Sequence, residues 1–205
     1  MDAKDWDERY AAADLIWSAE PNRFVAELIS PLTPGTAVDI AAGEGRNAIW
    51  LTQQGWTVTA TDYSSVAVER MRARAAEVLG AEAARLTPLV ADATVATPGG
   101  PAAYDLALFS YLQLPAAEWK VALRNGVQAV RPGGHVLVIG HSARNLTEGW
   151  GGPSAREVLY DPDEVVDAVD GLPVAVEHAD IRVRPVETED GPREALDTVV
   201  MLRRT

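Results

Sequence analysis

From residue 36 onward, short apolar runs alternate with stretches of helical periodicity. The runs TAVDIA (36–41), WTVTATD (56–62), TPLVADA (87–93), YDLALFS (104–110) and GHVLVIG (134–140) have the length of buried strands. Between them the pattern changes to that of helices. Arg46 to Gln54 stops at Gly55. Ser65 to Leu79 aligns Val68, Met71, Ala75 and Leu79 on one face, with Gly80 behind. Ala116 to Val130 aligns Trp119, Leu123, Val127 and Val130. Strands and helices in this alternation build a mostly parallel sheet.

Two further helices are marked by their ends. In EPNRFVAELISP, Pro21 suits a first helical position and Pro31 follows the last turn; in DPDEVVDAVDG, Asp161 and Glu164 form a capping box and Gly171 closes the helix. The tail is different. VAVEHADIRVRPV and EALDTVVMLRR are long extended runs joined by ETEDGPR, with Asp190-Gly191 as the turn of an antiparallel hairpin. The expected fold is therefore α/β: a doubly wound, mostly parallel seven-stranded sheet with helices on both faces and a C-terminal antiparallel hairpin. A single domain is expected over 1–205, with an N-terminal helical lid (1–35), a ligand-binding core (36–140), and a substrate loop, helix and hairpin (141–205).

Composition narrows the function. At 205 residues and 47% hydrophobic content the chain suffices for one full core. A net charge of -12 argues against a basic grip on nucleic acid or anionic membrane, and favours work on small molecules. Without cysteine there is no disulfide, thiolate nucleophile or thiolate metal site, which suits a reducing compartment. MDAKDWDERY is acidic and unlike a signal peptide, and no apolar run approaches the roughly 20 residues that span a bilayer. These features predict a soluble, cytoplasmic protein. No set of His, Asp and Glu has metal-ligand spacing, so no metal is expected.

The stretch VDIAAGEGRNAIWL holds Gly43-x-Gly45-x-x-Ala48, a glycine turn between strand and helix that lets backbone approach a ligand. In open sheets of this kind ligands bind beyond the carboxyl ends of the strands. That edge is acidic, with Asp39, Glu44, Asp62 and Asp92. An anionic pyrophosphate would be repelled there by several kcal/mol, to order of magnitude, so a cationic ligand is expected.

The ordered series VDIAAGEG, TATD, VADA, YDLALFS and VRPGGHVLVIG resembles the motifs of the class I S-adenosylmethionine-dependent methyltransferases over residues 36–140. Position 42 is Ala where many members have Cys or Gly. S-adenosylmethionine carries a sulfonium, an ammonium and one carboxylate, and its net positive charge matches the acidic edge. The resemblance implies that Gly43 and Gly45 line the methionine part, that Asp62 holds the ribose hydroxyls, and that Asp92 with Ala93 lies at the adenine. It also places Asp39, Ala41, Arg46, Asn47 and Tyr63 among the cofactor-binding positions. Ser110, Tyr111 and Leu112 then face the sulfonium and the incoming substrate. GEGRNAIWL preceded by WSAEPNRF is further similar to the tellurite-resistance and thiopurine-type branch of small-molecule enzymes. That branch implies a lid made by Trp17, Asn22 and Arg23, with Asn22 or Arg23 reaching the methionine carboxylate.

Each of these residues also has a plain structural reading. Trp17 can be a staple between the first helices, Asp62 a cap for the helix beginning at Ser64 or Ser65, and Asp92 a turn residue. Arg46 can meet a ligand carboxylate or balance Glu44. Asp62 does stand about 20 residues past the glycines, where the fingerprint places its ribose acid. His135 and His178 fall inside strands and suit structural roles. His141 opens the loop HSARNLTEGWGGPSAR at the ligand-binding edge and is the candidate catalytic base, while Trp150, among Gly149, Gly151 and Gly152, suits a mobile substrate cover. Tyr111, His141 and Trp150 are thus the candidate substrate residues. The leading expectation is methyl transfer to a small thiol, metalloid or hydrophobic nucleophile. The alternatives are a non-catalytic binding protein for the same cofactor and a nicotinamide-dependent oxidoreductase, the latter opposed by Glu44, Asp92 and the hairpin.

Overall fold

The structure is a computed structural model that describes Asp7 and residues 20–205. Trp17, expected in a lid, lies outside the described residues. Strands β1 (Thr36–Ile40), β2 (Thr57–Asp62), β3 (Leu86–Val90), β4 (Tyr104–Ser110), β5 (Val130–His141), β6 (Val174–Thr188) and β7 (Gly191–Arg204) form one seven-stranded sheet in the order β3-β2-β1-β4-β5-β7-β6. The first five are parallel neighbours, and β7 enters antiparallel between β5 and the edge strand β6. This is the doubly wound architecture the hydrophobic pattern predicts.

Helices α1 (Arg23–Ile29), α2 (Arg46–Gln53), α3 (Ser65–Leu79), α4 (Ala116–Ala129), α5 (Asn145–Glu148) and α6 (Pro162–Ala168) join these strands. The periodic face of α3 goes inward: Val68, Met71, Ala75 and Leu79 are all buried. Together with Phe24, Ile29, Leu51 and Trp56 it covers one side of the sheet, while Trp119, Leu123 and Val127 of α4 cover the other with Val165 of α6. The capping box read at α6 is present, with Glu164 reaching back to the Asp161 amide at 2.9 Å.

Several boundaries differ from the sequence pattern for identifiable reasons. Asn22, not a helical Pro21, starts α1, since its Oδ1 accepts from the Phe24 and Val25 amides at 2.8 and 3.3 Å. Strand β3 stops at Val90, which leaves Asp92 in the turn that follows. Residues 131–134, a Pro-Gly-Gly stretch with the composition of a turn, are carried within β5, and the ladder to β4 absorbs the extra residues in a register shift between Tyr104 and Leu106. The hairpin closes more tightly than read: Thr188 pairs with Gly191, so Glu189 and Asp190 form the turn and Gly191 (φ 103°) begins β7. Helix α6 ends at Ala168, short of Gly171.

The chain crosses from one side of the sheet to the other at β1, whose neighbours are β2 and β4. The loops after β1 and β4 therefore leave in opposite directions and open a crevice at the carboxyl edge.

Candidate active site

That crevice is a cavity of about 310 Å³ lined by the loops after β1, β2, β3 and β4. Of the cofactor-facing residues predicted from sequence, Ala41, Gly43, Arg46, Asn47, Asp62, Tyr63, Asp92, Ala93, Ser110 and Leu112 are on its wall, with Tyr111. A second chamber of about 1120 Å³ adjoins it and shares Arg46, Tyr111, Gln113, Leu114 and Glu118 as common walls. Its remaining lining includes Asn22, Arg23, His141, Trp150 and Arg184.

Asp62 ties the crevice together. One oxygen accepts from the Gly43 amide at 2.8 Å and the other from the Ser64 amide at 2.9 Å. The helix cap itself is Ser64, whose hydroxyl accepts from the Ala67 amide at 3.1 Å. Asp62 is thus not the cap of α3, and its carboxylate, with lone pairs to spare, stays on the cavity wall. Burial raises its pKa against the hydrogen bonds that hold the charged form. Asp92 serves its turn, accepting from the Thr94 amide and hydroxyl at 2.8 and 2.7 Å through Oδ1, and also faces the cavity.

The glycines divide their work. Gly43 is on the wall, whereas Gly45 is placed behind it, at φ 82°, where an added Cβ would stand 2.4 Å from the Met71 Cγ. Gly45 lets α2 start hard against α3. Glu44 also turns away: it is 3% exposed and pairs with Arg70 at 3.0 Å. The repulsion expected from Glu44 is therefore neutralised by Arg70. Asp39 lies under the loop, fully buried, with the Ala48 amide nearby but neither carboxylate oxygen in a well-aligned hydrogen bond among the described residues. Burial pushes it up to about 8, opposed by the charge of Arg46 and the Ala48 amide and reinforced by Asp62. Of the four acids that defined the edge, Asp62 and Asp92 reach the cavity.

Asn22 is a structural junction as well as a chamber residue. Its amide donates to Asn47 Oδ1 at 2.9 Å and its Nδ2 to the Tyr111 hydroxyl at 3.1 Å, in addition to the cap. Arg23 is exposed at the second chamber, 5.4 Å from the Phe24 ring. Tyr111 holds a left-handed backbone (φ 60°) on the common wall.

Sequence reasoning passed over one residue here. Asp197, in β7 and wholly buried, faces His141 across the β5–β7 ladder, with Oδ1 at 3.3 Å from the His141 Nδ1. Its Oδ2 accepts from the Tyr111 hydroxyl at 2.7 Å and from Arg184 Nε at 2.6 Å. Burial pushes the Asp197 carboxyl up, but hydrogen bonds from His141, Arg184 and Tyr111 outweigh it and hold it below the usual carboxylate range. The signal was present in LDTVVML, where one acid interrupts a buried strand.

The loop after His141 is fastened at several points. It contains α5, and Asn145 bonds the Gly151 carbonyl at 2.7 Å and the Leu196 amide at 2.7 Å. The Trp150 amide donates to the Glu194 carbonyl at 2.8 Å, and Arg193 stands 5.2 Å from the Trp150 ring. His135 and His178 face Glu177 and Asp180 at 3.4 and 2.7 Å in the strand region, away from both cavities.

Residues 37–134 match the family model described as a methyltransferase domain. That stretch therefore carries a methyltransferase domain. The chain shares its fold with several solved structures. A protein studied for the conversion of a disulfide bond into a thioacetal group during echinomycin biosynthesis is 19% identical, with TM-score 0.77 over 98% of this chain and 91% of that one. TehB from Haemophilus influenzae is 14% identical, with TM-score 0.72 over 99% of this chain and 67% of that one. The glycopeptide N-methyltransferase MtfA is 18% identical, with TM-score 0.67 over 91% and 97%. At these identities the likeness is one of fold. No curated protein is close enough in sequence to count as a match.

The cavity suits S-adenosylmethionine, the cofactor that the motif resemblance implies. The volume falls at the low end of small-molecule sites. Ser110 has a buried Oγ with no partner among the described residues, on the wall of a cavity that Asp62 and Asp92 supply with acceptors and Ala93, Leu112 and Leu114 with apolar surface. A ribose diol, a purine amine and a flat ring match that set of groups.

Proposed function

We propose that this methyltransferase acts on a small-molecule acceptor held in the larger chamber, with the cofactor in the smaller one. The observation that carries this reading is the shared wall: Arg46, Tyr111, Gln113 and Leu114 line both spaces, so occupants of the two meet there. S-adenosylmethionine supplies an activated methyl group on a good leaving group, and the chain works chiefly by holding the acceptor in line with it. Asp62 and Asp92 with Ala93 take the adenosine; Gly43, Arg46 and Asn47 take the methionine end. Trp150, Pro153, Val158 and Val186 give the outer chamber apolar surface, and Arg23 and Arg184 give it charge. An acceptor with an apolar body and a polar head fits that lining, and His141 is its proton acceptor.

Calorimetry is expected to show binding of S-adenosylmethionine and of its demethylated product, and none of nicotinamide dinucleotides. Tight dinucleotide binding without binding of the sulfonium compound would sink the reading. A labelled-methyl screen across thiols, phenols, amines and metalloid anions then identifies the acceptor.

Trp150 lines only the outer chamber and is 45% exposed. Trp150→Ala is expected to lower kcat/KM for an apolar acceptor about tenfold, equivalent to about 1.4 kcal/mol of lost contact, with cofactor affinity within about twofold of the parent. Unchanged turnover of every acceptor would remove Trp150 from the substrate wall.

A further inference from the structure

His141 is clamped from several sides. Its ring packs 4.8 Å from that of Tyr111, and at Gly152 (φ 77°) an added Cβ would stand 3.0 Å from three atoms of the imidazole. Nδ1 is buried and stands 3.3 Å from Asp197 Oδ1, close enough for the carboxylate to bias its proton though off the line of a well-aligned hydrogen bond, while the side chain keeps 12% exposure. Nε2 has no hydrogen-bond partner among the described residues and is not among the buried polar atoms, so the exposed part of the ring presents it to the outer chamber that His141 lines. The charged and titratable groups around the pair are Tyr111 after β4, Arg184 on β6, Arg46 at the start of α2, and Tyr160, whose backbone amide donates to the His141 carbonyl at 3.4 Å.

Asp197 decides which nitrogen carries the proton. An ionised carboxylate only accepts, so Nδ1 facing it must be the donor, and the lone pair of a neutral imidazole is left on Nε2. The second oxygen of Asp197 is occupied by the Tyr111 hydroxyl and Arg184 Nε, which fix the carboxylate in turn.

We propose that Asp197 is a positioning residue that holds His141 as a base with its free Nε2 in the acceptor chamber, and that the acceptor is consequently a nucleophile that arrives carrying its proton, such as a phenol, alcohol or enol. This deepens the methyltransferase reading and rests on it. In the step, the acceptor O–H bond breaks and its proton goes to Nε2. The freed oxygen pair forms the new bond to the methyl carbon, and the carbon–sulfur pair returns to sulfur, leaving a neutral thioether. The proton on Nε2 then passes to solvent.

The test is long-range nitrogen–proton NMR of the imidazoles in the full chain, which has three histidines. His141 is assigned by the signal lost in His141→Gln. The wild type is expected to show His141 protonated at Nδ1 and bare at Nε2. In Asp197→Asn, Tyr111 and Arg184 still demand the oxygen, so the carboxamide turns its NH₂ toward Nδ1 and the tautomer inverts. A wild-type Nε2–H tautomer, measured without any variant, overturns the proposal, as does Asp197→Asn that keeps Nδ1–H. With 2-naphthol, un-ionised at neutral pH, as probe acceptor, Asp197→Asn is expected to lower kcat about 100-fold. With 4-nitrothiophenol, ionised at that pH, the change is expected to stay within about threefold. Equal loss with both probes overturns the base assignment. Calorimetry with S-adenosylmethionine on the same samples separates the two ideas: absence of binding defeats the methyltransferase reading while the tautomer still decides the role of Asp197.

Discussion

Asp62→Ala is expected to weaken S-adenosylmethionine binding roughly 30- to 1000-fold, or about 2 to 4 kcal/mol, because a carboxylate accepting two ribose hydroxyls makes charge-assisted bonds in a largely dry site. The same substitution removes acceptors from the Gly43 and Ser64 amides. A stability loss of about 1 to 3 kcal/mol is therefore expected alongside, as two buried donors lose their partner. The two effects are separable. Ser64→Ala removes the cap of α3 and leaves the carboxylate on the cavity wall, so it is expected to cost stability of about 1 kcal/mol with little change in affinity. Isothermal titration and urea unfolding of both variants decide the matter. If Asp62→Ala unfolds earlier yet binds the cofactor as tightly as the parent, Asp62 fastens the loop and nothing more.

Much of this arrangement was legible because it is local. The face of α3 follows from the spacing of Val68, Met71, Ala75 and Leu79, and the start of α6 from Asp161 and Glu164, since each signal spans a turn or two of helix. The cavity position follows from the alternation of strands and helices, which fixes where the order of strands reverses. What escaped depends on residues far apart in the chain. Glu44 looked like part of an acidic ligand edge, and only the approach of α3 shows it paired to Arg70. Gly45 looked like a ligand glycine, and only helix packing shows the Met71 side chain that excludes a Cβ. Asn22 and Arg23 looked alike as lid residues; folding commits Asn22 to a cap and to Tyr111 and leaves Arg23 exposed in the chamber. Asp197 could not be matched to His141 without the β5–β7 register, and register between distant strands is set by the whole sheet.

The second large effect concerns Asp39, beneath the glycine loop. Its two oxygens are buried without a well-aligned hydrogen bond among the described residues, and its pKa is raised from 3.8 to about 8. The folded chain therefore keeps a proton on Asp39 that the unfolded chain releases, and folding stability falls as pH rises through the window from about 4 to about 8. The limiting slope for one such group is about 1.4 kcal/mol per pH unit, and local relaxation and water reduce it. Between pH 5 and pH 8 the wild type is expected to lose about 2 to 4 kcal/mol relative to Asp39→Asn. The comparison is one of slopes, because the carboxamide also buries unpartnered polar atoms, at a cost that does not depend on pH. Urea unfolding at the two pH values measures both slopes. Parallel slopes for wild type and Asp39→Asn would mean that Asp39 is already ionised in the fold, with the nearby Arg46 charge that opposes its protonation prevailing over burial.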